Sequence, residues 1–138
     1  MKGPRATINL KYDVPYGAGV SKDALTIYID KRIPKFITIN KQKVDIHYYI
    51  ELHETVEFAM MHHLGLDYKA AHELATILEH GALKQDGIDS NKYEEKLKPI
   101  LHDCETNFSV TPPDLDLKPY ADSRDIKTLN KLLSTKKQ

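Results

Sequence analysis

The run His53-Glu54-Thr55-Val56-Glu57 sets an imidazole and a carboxylate four positions apart, with a second glutamate directly after the histidine. Positions i and i+4 of a helix lie one above the other, so His53 and Glu57 can offer two ligand atoms to one metal ion. On a wheel of about 100° per residue, both fall in the middle of a stripe formed by Ile46, Ile50, Met60 and Leu64. An unpaired carboxylate in an apolar seam is costly, so Glu57 needs a cation, strong donors or a proton. Glu54 lies at the edge of the same face, where a glutamate beside a metal ligand can accept a proton from water.

This is the His-Glu-x-x-ligand arrangement of zinc peptidases, written H-E-T-V-E rather than H-E-x-x-H. A carboxylate binds zinc but lowers the net positive charge of the site, which widens the choice of metal to manganese or iron. A following helix must supply the rest of the site. Tyr68, His72, Ala75 and Glu79 share one face of it, and Ala71 with Ala75 lets a neighbouring helix approach closely. At 1.5 Å rise per residue, His72 and Glu79 are roughly 10 Å apart along the axis, too far for both to bind one ion directly. A hairpin folded about residues 65–67 sets Glu79 level with His53 and His72 level with Met60. That favours Glu79 as third ligand, with His72 behind it or against substrate. A less regular connection reverses the choice, which the sequence leaves open.

The other histidines carry weaker signals. His63 has the spacing of the third histidine in H-E-x-x-H-x-x-G-x-x-H, but Met60 stands where that motif needs its turning glycine. His47, His62 and His80 read as surface or flanking residues. His102-Asp103 has the look of the pair in metal phosphohydrolases, without a clear partner histidine. The competing structural reading is a buried polar network that joins Glu57 and Glu79 to His53, His72 or tyrosines. Acid–histidine sets on facing helices tilt the balance towards a metal, because perturbed buried charges cluster at functional sites.

The elements that must position these groups follow from the hydrophobic period. Residues 6–10, 24–30 and 36–40 alternate as half-buried strands do, with a break over 14–19 and a turn over 40–43. Together they predict a small antiparallel sheet over 1–44. From Asp45, a suitable N-cap, the period becomes helical as far as Gly65. A second helix is expected from near Asp67 to Gln85, completing the site helices of 45–87. Residues 88–138 then hold a third helix over 91–106, bent or split at Pro99, and an extended stretch over 111–117. They end in a short helix capped by Asp122 or Ser123 that turns Ile126, Leu129 and Leu133 inward. The expectation is one α+β domain over 1–138.

The whole chain sets the bounds. Its 138 residues are 41% hydrophobic and 29% charged, the balance of an ordinary globular protein. Twenty basic residues offset twenty acidic ones, so no global field favours nucleic acid or an anionic membrane. Only the tail (Lys127, Lys131, Lys136, Lys137) is locally basic. Cys104 is the single cysteine, which excludes an internal disulfide and a thiolate cluster. No segment has the length of a membrane span, and the first ten residues lack a signal-peptide core, so the expected compartment is the cytoplasm.

Several stretches taken together resemble a group of small phage- and prophage-encoded proteins of zincin-like metallopeptidase type. They are YIDKRIP at 28–34, VDIHYYIELHETVE at 44–57, GLDYKAAHELATILEH at 65–80 and PPDLDLKPY at 112–120. The resemblance implies a minimal zincin: a small sheet, an active-site helix and a second helix that closes the site. It implies His53 as first ligand, Glu54 as base and Glu79 as downstream glutamate, with Glu57 departing from the second histidine. The expected function is a metal-dependent hydrolase, a peptidase, with one divalent ion, zinc first. Its rival is a non-catalytic phage structural protein whose partners are virion or assembly proteins.

Overall fold

In the computed structural model, which describes residues 6–135, the N-terminal alternation becomes two small sheets, and everything after residue 45 is helical or extended. Strands β1 (Thr7–Asn9), β2 (Ala18–Val20) and β3 (Thr26–Ile29) form one sheet in the order β1-β3-β2. Strands β4 (Phe36–Ile39) and β5 (Gln42–Asp45) form a separate hairpin. Five helices follow: α1 (Ile46–His62), α2 (Tyr68–Gln85), α3 (Ser90–Thr106), α4 (Lys118–Asp122) and α5 (Ile126–Thr135). The class is α+β, as the change of period predicts.

Two features of the sheet depart from expectation. β1 runs parallel to β3, Thr7 opposite Thr26, so the first sheet is mixed rather than antiparallel. The stretch read as a break runs into β2, antiparallel to β3 with Gly19 opposite Tyr28. Small residues hide this strand from a hydrophobic-period argument, and packing explains them: a Cβ at Gly19 would stand 2.7 Å from Leu115 Cδ1. Pro15 and Tyr16 (φ 67) form a type II turn into β2, closed by the Gly17 N–H donating to the Val14 carbonyl at 2.9 Å. The β4–β5 hairpin turns on Asn40 (φ 51) and Lys41 (φ 67), both left-handed, as a two-residue turn matched to strand twist requires.

The helix boundaries follow their caps. Asp45 accepts from the Tyr48 N–H at 3.1 Å, Asp67 from Ala70 at 2.9 Å and Asp89 from Asn91 at 3.0 Å. α3 passes through Pro99 as one element. The apolar stripe of α1 differs from the wheel at its end. Met61 is buried, Met60 is partly exposed, and Leu64 lies beyond the helix at 67% exposure. The extended stretch lies against the body as expected, with the Asp116 N–H on the Val20 carbonyl at 2.8 Å. It then enters α4, which the sequence reading lacked. α5 is capped by Asp125, which accepts from the Thr128 N–H at 3.2 Å, rather than by Asp122 or Ser123. Packing against the second core cluster sets its inward face: Leu132 is buried and Leu129 partly so, while Ile126 and Leu133 face solvent. Lys131 sits over the Phe108 ring, and Lys136 and Lys137 lie outside the described residues.

The main core joins Ile27, Ile29, Ile39 and Val44 of the sheets to Ile46 and Ile50 of α1, Leu83 of α2 and Tyr93 of α3. A second cluster, with Val14, Tyr28, Leu115, Tyr120 and Leu132, seats the C-terminal segment. An ionic knot binds these parts. Buried Asp30 accepts from the Val14 N–H at 2.7 Å and from Arg32 Nε at 2.8 Å, while Arg32 Nη1 reaches Asp103 of α3 at 3.3 Å. Burial opposes the charge of Asp30, but these donors win and hold its carboxyl below the usual range.

Candidate metal centre

α1 and α2 pack as an antiparallel pair joined through residues 63–67, and the interface between them carries every buried glutamate of the described residues. His53, Glu54 and Glu57 on α1 and Glu79 on α2 are all buried, while His72 is partly open to solvent. The imidazole of His53 lies between two acidic groups. Its Nδ1 is 2.8 Å from Glu79 Oε1, and its Nε2 is 2.9 Å from Glu57 Oε2. His72 Nδ1 completes the second side, 2.9 Å from the same Glu57 oxygen and 3.1 Å from His53 Nε2.

Three ligand atoms thus converge on one point: His53 Nε2, Glu57 Oε2 and His72 Nδ1. Among the described residues they are the one group of three metal-ligating side chains this close together. Glu79 meets the opposite nitrogen of His53, which the ring turns away from that point. Counting back from the turn sets Glu79 level with His53, as the contact has it, but the width of the imidazole decides what the contact means. One nitrogen serves the carboxylate behind, and the other is left for the point in front. His72, lower on α2, reaches that point because its ring leans across towards α1, edge-on to His53 with centroids 4.8 Å apart.

The donor set fits a divalent ion. Around a tetrahedral zinc with bonds of about 2.0–2.1 Å, ligand atoms stand about 3.3 Å apart. The three atoms here are already within 3.1 Å of one another, so a few tenths of an ångström of outward movement accommodates it. Two nitrogens directed at one carboxylate oxygen repel one another unless protons or a cation stand between them. Burial opposes a charged His53, but its hydrogen bonds to Glu57 and Glu79 outweigh that cost and raise its pKa to about 10. Burial also opposes ionisation of Glu57, yet the two imidazoles hold its carboxyl below the usual range. Glu54 is different. Burial, and then the charge of Glu57, pushes it up to about 8, and it takes no hydrogen bond from the described residues.

A cavity of about 200 Å³ opens on this cluster, lined by Glu54, Glu57, His72, Tyr16, Tyr68 and Tyr120 among others. Ala18 and Gly19 of β2 form part of its wall. The Tyr68 hydroxyl is 3.3 Å from His72 Nδ1, and its ring stacks near Tyr16. Tyr120 and Tyr16 carry no signal in the sequence, because the short α4 and the turn before β2 bring them here only through long-range packing. Behind Glu79 lies the fully buried Tyr93 hydroxyl, for which the Glu79 carboxylate is the available acceptor. Burial, then the charge of Glu79, raises its pKa.

The remaining sequence candidates lie elsewhere. His47, read as a surface or flanking residue, is buried, with its Nε2 3.0 Å from the carbonyl of Ile33 in the segment before β4. His62 pairs with Asp116 and His80 with Glu94, each at 2.8 Å. His63 is carried to the far side of α1, as Met60 in place of glycine predicts, where it lines a larger groove. Asp103 is engaged by Arg32 and Asn107, and exposed His102 joins no metal-capable group among the described residues. Burial, then the nearby Asp30 charge, raises the thiol of Cys104 to about 12, which leaves it inert.

No helix of the described residues is long and apolar enough to cross a membrane. Compared with protein families, with curated proteins and with solved structures, the chain matches none.

Proposed function

We propose that this chain is a metal-dependent hydrolase that cleaves peptide bonds, with His53, Glu57 and His72 holding one divalent ion, zinc first, and Glu54 as general base. The observation that carries the reading is the convergence of three ligand atoms from two helices beside a buried carboxyl that takes no hydrogen bond from the described residues. A divalent ion at that point supplies Lewis-acid polarisation of a carbonyl and acidifies water. The protein's own groups do the rest. Glu54, one residue from a ligand and facing the cavity, takes the proton from the attacking water and returns it to the leaving amine. The Tyr68 hydroxyl, beside His72 at the cavity wall, is the donor available to a developing oxyanion. Glu79, bonded to His53 Nδ1, holds that imidazole in the tautomer whose Nε2 lone pair faces the ion. The resemblance to phage-encoded zincin-like proteins implies the same roles for His53 and Glu54 but Glu79 as the downstream ligand, and this ligand set departs from it there because Glu79 meets the opposite nitrogen of His53.

The test has two parts. Metal analysis of protein purified without chelator should find one ion per chain, lost in His53→Ala and in His72→Ala. Glu54→Gln should keep the ion and lose cleavage of a peptide library. Protein that takes up no ion under any loading condition removes the reading. The pairing of Glu57 with both imidazoles also suits a non-catalytic protein with a structural ion, and metal retention with no cleavage by the parent chain selects that alternative.

A further inference from the structure

The outer face of α2 is apolar where an isolated surface helix would be polar. Leu74, Ile77 and Leu78 are 42%, 64% and 50% exposed, although they follow the i, i+3, i+4 spacing of a buried stripe. Ala70 and Gly81 belong to the same arc, about 100° wide at 100° per residue. Gly81 leaves the helix surface open at its position, since a Cβ built there meets nothing within 4 Å. This arc is distinct from the one that α2 turns inward, which carries Ala71, Ala75, Glu79 and Leu83. Contiguous exposed aliphatic side chains of this kind mark contact surfaces.

We propose that this face is a dimer interface closed by a second, antiparallel copy of the chain. A two-fold axis between Ile77 and Leu78 makes the surface complementary to itself. Ile77 of each copy then meets Leu78 of the other, and Leu74 of each lies over the bare backbone at Gly81. Ala70 and Gly81 keep side-chain volume low, so the helix axes can approach closely. The charges on the flank select this occupant. Glu73 and Lys84 lie on the same side of the stripe, both exposed and without an ion pair among the described residues. In the antiparallel arrangement, Glu73 of one copy falls two residues, about 3 Å at 1.5 Å per residue, from the level of Lys84 of the other. The two-fold axis therefore generates two symmetric ion pairs. A parallel two-fold arrangement carries this flank to opposite sides of the contact in the two copies, so neither ion pair can form.

Sedimentation velocity of the full chain, from low micromolar to near-millimolar concentration, tests this. The parent protein should reach twice the 15.8 kDa of one chain. Ile77→Lys should weaken the dimer by about a hundredfold or more, as expected at the centre of an interface. Glu73→Lys should weaken it by about tenfold through like-charge contacts at the rim, and adding Lys84→Glu should restore it. Gly81→Leu fills the seat of Leu74 and should also give monomer, with the single chain intact because the site is open. A parent chain that stays monomeric at every concentration overturns the proposal. So does a dimer indifferent to Ile77→Lys and Gly81→Leu, or a double charge swap no tighter than the single one.

Discussion

Replacing Glu79 separates a residue that holds the metal from one that holds a ligand. Glu79 accepts a charge-assisted hydrogen bond from His53 Nδ1 at 2.8 Å, and the point where the three ligand atoms meet lies on the other side of that ring. Removing a carboxylate behind a ligating histidine costs about 10–100-fold in metal affinity, which at 1.4 kcal/mol per decade is about 1.4–2.8 kcal/mol. Glu79→Gln keeps a carbonyl oxygen as acceptor and should sit near the tenfold end, and Glu79→Ala near the hundredfold end. A direct ligand is worth more. Apparent zinc affinities of about 10–16 kcal/mol shared over four bonds leave about 2.5–4 kcal/mol per ligand, or about a hundredfold to a thousandfold. His72→Ala should therefore weaken binding more than either Glu79 variant. The assay is competition for zinc against a chromophoric chelator at fixed pH, with circular dichroism to establish that each variant is folded. Glu79→Ala as damaging as His53→Ala, together with a harmless His72→Ala, would refute the reasoning and make Glu79 the third ligand.

Three further outcomes concern the scaffold. Asp30→Asn should cost about 3 kcal/mol in urea unfolding, the lower end for a broken buried pair, because Arg32 keeps 26% exposure. The native donors hold the Asp30 and Asp13 carboxyls below their usual range, so their stabilisation is complete above the unfolded-state value. It is lost as pH falls through the lower folded-state value, and Asp30→Asn should flatten the acid limb of a stability–pH profile measured by denaturant titration. Lys41→Gly should raise stability by about 1 kcal/mol, read as a higher melting temperature, because a side chain at φ 67 carries a left-handed penalty that glycine lacks. Gly19→Ala should lose about 1–3 kcal/mol, since the new methyl meets Leu115 Cδ1 at 2.7 Å, and hydrogen exchange at the Asp116 amide should accelerate with it.

Local chemistry made much of the site legible before any fold was known. A histidine and a glutamate four apart share a helix face by geometry alone, and three aspartate caps announce where α1, α2 and α3 begin. The length of the helices on either side of the turn is enough to set Glu79 level with His53. Beyond that, sequence spacing loses its grip, because it measures position along an axis and says nothing of ring orientation or of how two axes cross. Which nitrogen of His53 faces Glu79, whether His72 reaches the same oxygen as His53, and whether Glu54 stands in water or in the interior are all questions of side-chain direction across an interface. The same division runs through the scaffold. Alternation revealed β3 and β4, but β2 is a three-residue strand whose central glycine is required by Leu115, almost a hundred positions later. The parallel pairing of β1 and the shifted inward face of α5 likewise depend on contacts between distant segments. The sequence by itself determined which groups lie on which helix face. Tertiary packing alone decided which of them meet, because a few ångströms of side-chain reach separate a ligand from its support.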